Sequence, residues 1–125
     1  MSAIIILKDS RSEDWPEFWF YRHHDTEPRI IKKSLARFIG WVRDGLIRDN
    51  TNQAAGWIVI LGRAESIGML DSGQPLRPGT YKEDGAYHWS VGVYDPWPVG
   101  DLSIDPDRIY TLDLATLTIT SKRMA

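Results

Sequence analysis

The chain has 125 residues, enough for a single domain over 1–125, and its 42% hydrophobic and 26% charged residues are those of a globular protein. With no cysteine it can form no disulfide, thiolate metal site or cysteine nucleophile. A net charge of −2 argues against general nucleic-acid binding, which calls for a basic excess.

The first element in chain order is "AIIILKD", a short β-branched run that predicts a strand. The polar "SRSEDWP" that follows predicts a connection. "EFWFYRHH" predicts a second strand, with Phe18, Phe20, Arg22 and His24 on one face and Trp19, Tyr21 and His23 on the other. Both faces begin aromatic and end polar, so the strand is expected to be covered at its start and open to water at its end. "DTEPRIIKKSLARFIGWVRDGLI" has the spacing of an amphipathic helix, with Ile31, Leu35, Phe38, Val42 and Leu46 as its apolar stripe. Asp25 or Thr26 is expected to cap it, Pro28 suits its first turn, and Gly45 or the "RDN" beyond ends it. Lys32, Lys33, Arg37 and Arg43 lie on the opposite face.

"NTNQAAGWIVILGRAESI" reads either as a buried strand over Trp57–Leu61 or, as its length and all-round apolar positions favour, as a mostly buried helix capped by Asn50 or Thr51. Its apolar run Trp57–Leu61, bounded by glycines, is too short to span a membrane. Residues 68–86, rich in Gly and Pro, are expected to form a loop, "AYHWSVGVYD" a strand, and 95–107 another loop. "RIYTLDLATLTITS" predicts a closing hairpin turning near Ala115–Thr116. Strands at both ends with helices between give an α+β domain, an antiparallel β-sheet with two helices packed on one face. Six tryptophans in so small a domain are expected mostly in its core.

"FWFYRHHDTEP" followed by an amphipathic helix resembles a group of small proteins of phages, prophages and bacteria. In these an aromatic strand ends Tyr-Arg-His-x-Asp-Gly-Tyr-Pro. Tyr21, Arg22, His23, Asp25 and Pro28 carry the resemblance, and Thr26-Glu27 stands here where the group has Gly-Tyr. "DNTNQAAGWIVILGRAES" and "YTLDLATLTI" are similar to the second helix and closing hairpin of that group. The resemblance implies a fold and a mobile-element setting. With no basic residue ahead of the short N-terminal apolar run, the expected location is the cytoplasm of a bacterial host cell.

The chemistry-bearing residues cluster weakly. His23, His24, Asp25 and His88 are the candidate bases or ligands, but neighbours on a strand point to opposite faces, so no metal site is expected. No Gly-x-Ser-x-Gly and no phosphate-binding loop occurs, and no cofactor is expected. Aromatics with arginine suit anchoring of a partner or stacking on a ligand. The expected binding residues are Tyr21, Arg22, His23, Asp25, His88, Trp89, Lys33 and Arg37. Charge is split: 22–48 is mainly basic and 83–113 mainly acidic, as solvated faces or as a basic helix face that meets an anionic partner. The leading expectation is a non-enzymatic binding protein that blocks a host protein complex or sequesters a nucleotide-like signalling ligand, blunting a bacterial defence. The alternative is a small hydrolase or phosphodiesterase with His23 or His88 as base and Arg22 as anion clamp. Assembly into homo-oligomers is left open.

Overall fold

The computed structural model describes residues 2–23, 25–66 and 94–124. In chain order these form β1 (Ala3–Lys8), β2 (Phe18–Arg22), α1 (Pro28–Arg43), α2 (Thr51–Ser66), β3 (Asp95–Trp97), β4 (Arg108–Asp113) and β5 (Thr118–Arg123). The five strands make one sheet in the order β3-β2-β1-β4-β5. It is antiparallel except at its centre, where β1 and β4 run parallel with Ile5 opposite Tyr110. A parallel neighbour requires a long crossover, and here β2, both helices and β3 lie between the two central strands.

Both helices pack on one face. Ala3, Ile5, Leu7, Phe20, Tyr110 and Leu112 point from the sheet into one core, which Ile31, Leu35 and Phe38 of α1 and Ala54, Ile58 and Leu61 of α2 complete. The fold is thus the expected α+β arrangement. No helix among the described residues is long and apolar enough to cross a membrane.

Helix α1 starts later than the sequence predicts. Its N-cap is Glu27, which makes no side-chain cap bond, while Asp25 sits outside at φ 51°. Pro28 explains the shift: the residue before a proline is pushed to extended backbone, so the helix cannot begin before Pro28. At the other end Gly45 adopts φ 76°, its N–H bonds to the Val42 carbonyl and that of Leu46 to the Trp41 carbonyl. This is a Schellman turn, in which glycine takes the left-handed position. Leu46 therefore belongs to the cap and not to the stripe, and its side chain is 69% exposed.

Asn50 caps α2, its Oδ1 accepting from the N–H groups of Asn52 and Gln53. Trp57 is exposed, so α2 is less fully buried than predicted. The segment expected to be loop contains β3, a three-residue edge strand paired to β2 with Trp97 opposite Trp19. It is too short, and too interrupted by Pro96, to show a periodic signal. The strand predicted at "AYHWSVGVYD" lies almost wholly outside the described residues. The closing hairpin forms as expected, with Leu117 at φ 51° in its turn.

The tryptophans are not where composition suggested. Among the five described, none is buried: Trp15 is 48% and Trp57 42% exposed, and Trp19, Trp41 and Trp97 are half-buried. Aliphatic residues with Phe20, Phe38, Tyr94 and Tyr110 fill the core instead.

Candidate functional site

Strand β2 divides the residues that the sequence groups together. Arg22 follows Phe20 on the helix-facing side and is buried, with 3% exposure, and not open to water as predicted. His23 lies on the other side and is exposed. Alternation along a strand is the reason. The hydrolytic pair of Arg22 as clamp and His23 as base is therefore split by the sheet. His24, His88 and Trp89 lie outside the described residues.

On the helix side a polar chain runs through the core. The Arg22 guanidinium carbon lies 4.9 Å from the centre of the Tyr94 ring. The Tyr94 hydroxyl is 2.6 Å from Ser34 Oγ, and Ser34 donates to Glu65 Oε1. A serine has one hydroxyl hydrogen. With it committed to the carboxylate, Tyr94 is the donor to Ser34. Polarity thus runs one way, from the Arg22 cation through two hydroxyls to the Glu65 anion, the direction in which such chains reinforce one another. Burial pushes the Tyr94 hydroxyl pKa up, and the Arg22 charge and the Ser34 bond oppose that shift. Arg37 lies 3.9 Å from the other Glu65 oxygen. Ser34, Glu65 and Tyr94 were absent from the sequence-derived site. The one available signal was Ser34, a polar residue amid the apolar stripe of α1.

A second hydroxyl of this face, that of Tyr110, is buried with no hydrogen-bond partner among the described residues. Burial raises its pKa, opposed by the charges of Arg108 and Arg22. Register places Arg22, Ala3, Arg108 and Arg123 in one row across four strands.

On the opposite face, Trp97, Trp19, Tyr21 and His23 form an aromatic strip over β3 and β2. The Tyr21 and Trp97 ring centres are 5.0 Å apart, and those of Tyr21 and His23 6.0 Å. A hydrogen bond of 2.8 Å joins the Tyr21 hydroxyl to His23 Nδ1. Trp19 Nε1 donates to Glu17 and Trp97 Nε1 to the Asp101 carbonyl, so both indoles are held in place. Desolvation, and secondarily the negative charge of Asp95, raise the Tyr21 pKa.

Of the remaining expected binding residues, Lys33 is exposed on α1, Arg37 turns toward Glu65, and Asp25 is exposed ahead of the helix. The structure therefore brings Tyr21 and His23 together with Trp19 and Trp97. It sends Arg22 and Arg37 toward Tyr94 and Glu65 on the other side of the sheet.

At the opposite end of β1, Arg11 clamps the strand's exit. Its Nε bonds both oxygens of the buried Asp9 at 2.9 and 3.0 Å, and its Nη1 meets Asp49 at 2.8 Å. This ties the strand to the loop between the helices. Among the described residues no group of three or more histidine and carboxylate side chains converges as a metal site. No protein-family model, curated protein or solved structure matches the chain.

Proposed function

We propose that the protein is a small binding protein of the phage and prophage kind. It works in the cytoplasm of a bacterial host by occupying a host protein complex, and thereby blunts a defence response. The observation that carries this reading is the aromatic strip of Trp19, Tyr21, His23 and Trp97 on the face away from the helices. Tryptophan and tyrosine supply large contact areas at little entropic cost and anchor many protein interfaces. Here their polar atoms are already held internally, so the rings are set in place before a partner arrives. The setting in phages and their hosts rests on the Tyr21-Arg22-His23 and Asp25 resemblance.

The test is capture from bacterial lysate by the immobilised protein, comparing wild type with Trp19→Ala and Trp97→Ala. One stoichiometric host protein should be retained by wild type and lost by both variants, whose unfolding transitions remain cooperative. Recovery of the same proteins by all three refutes the strip as the contact surface. A nucleotide recovered in place of a protein would shift the reading to ligand sequestration.

A further inference from the structure

Among the described residues strand β5 ends the sheet, pairing with β4 on one side only. Every second residue of its outer side therefore presents backbone N–H and C=O groups to whatever lies beyond. Thr118, Thr120, Ser121, Lys122 and Arg123 are all exposed, and no other described strand covers this edge. The other edge differs: β3 has three residues and a central proline, which limits further pairing. β5 has six residues and no proline.

Beside the β5 edge runs a groove of about 520 Å³ between α1 and the hairpin. Its floor is apolar, formed by Ile39, Leu117 and Ile119, and Lys32 and Arg43 are also among its lining residues. Neither the groove lining nor β5 carries an acidic side chain. Register puts Ile119 and Arg123 on the helix-facing side of the sheet and Lys122 on the other.

We propose that β5 is a docking edge for an extended acidic segment of a partner polypeptide, which adds as a further strand. Such a segment gains a backbone ladder from the edge. Its apolar side chain enters the groove over Ile39 and Ile119, and its carboxylates meet Lys32, Arg43 and Arg123. The same charges select among occupants. A second copy adding its own β5 would bring Lys122 and Arg123 but no carboxylate, so the cations of this surface would go unmatched. This surface is separate from the aromatic strip, and the inference stands without the strip's assignment.

The probe is a fluorescein-labelled ten-residue peptide alternating valine with glutamate, compared with its valine–lysine counterpart. Binding is read by anisotropy, and amide exchange of β5 by NMR. The acidic peptide should bind and slow exchange at alternate β5 amides, whereas the lysine peptide should do neither. The double reversal Lys32→Glu with Arg43→Glu changes exposed residues only. It should weaken acidic-peptide binding at least tenfold and let the lysine peptide bind. Trp19→Ala should leave acidic-peptide binding unchanged, so failure of the strip and failure of the edge are separable. Three results would overturn the proposal: no acidic-peptide binding at millimolar concentration, binding without protection of β5, or protection of β5 by self-association of the protein alone. Equal binding of an oligonucleotide, lost in the same double variant, would also overturn it by showing charge attraction without strand addition.

Discussion

Phe38 and Leu46 occupy equivalent positions in the apolar stripe read from the sequence, yet Phe38 is 0% and Leu46 69% exposed. Replacing each by alanine separates the two descriptions. A buried aromatic side chain removes roughly 150–250 Å² from water. At about 25 cal/mol/Å² this contributes roughly 4–6 kcal/mol. Alanine retains one buried carbon, worth about 0.8 kcal/mol. The expected loss for Phe38→Ala is therefore about 3–5 kcal/mol, the range measured for such truncations. A domain of this size holds about 5–15 kcal/mol in all, so the variant should remain folded but lose a large share of its stability. Urea unfolding followed by tryptophan fluorescence and far-ultraviolet dichroism is the assay. The midpoint should fall with the slope unchanged. Leu46→Ala should stay within about 0.5 kcal/mol of wild type, as exposed sites do. If Phe38→Ala costs under about 1 kcal/mol, or Leu46→Ala costs as much as Phe38→Ala, α1 is not seated on the sheet as described.

The two buried tyrosine hydroxyls make opposite predictions. Tyr94→Phe breaks the chain to Ser34 and should cost about 1–3 kcal/mol, whereas Tyr110→Phe removes a hydroxyl with no partner among the described residues and should be neutral or stabilising. Thermal unfolding of the pair decides it, and equal losses would refute the polar chain. Gly45→Ala meets no neighbour within 4 Å, so its cost is the left-handed backbone alone, about 1–2 kcal/mol, with Gly45→Asn costing less in the same denaturation assay. Asp9 has its pKa lowered below the usual 3.8, chiefly by its hydrogen bonds from Arg11. A depressed folded value means that the stabilisation is complete above the unfolded pKa and disappears as pH falls through the folded one. The thermal midpoint should therefore drop in acid below about pH 4, and Arg11→Met should flatten that part of the profile. An unchanged profile in Arg11→Met would refute this coupling.

Local physics made much of the secondary structure readable from the sequence. The period of Ile31, Leu35, Phe38 and Val42 sets the buried face of α1, because a helix of that pattern has one way to withdraw its stripe from water. Asn50, Gly45 and the alternation of Tyr110, Leu112 and Leu114 are equally local signals. Alternation also placed Arg22 and His23 on opposite faces of β2, since side-chain direction on a strand depends on nothing distant. What those faces meet is another matter. Arg22 is buried because Tyr94, sixty residues beyond Ser34 in the chain, returns to lie against it. No pattern near Arg22 encodes that return. Likewise β3 exists because β2 offers a ladder to three residues that have little strand preference of their own. The tryptophans show the same limit from the other side. Composition measures how much apolar surface a chain carries, but only packing decides which of it is withdrawn from water. Here the aliphatic stripes fill the space between helices and sheet, leaving Trp19 and Trp97 on the opposite face.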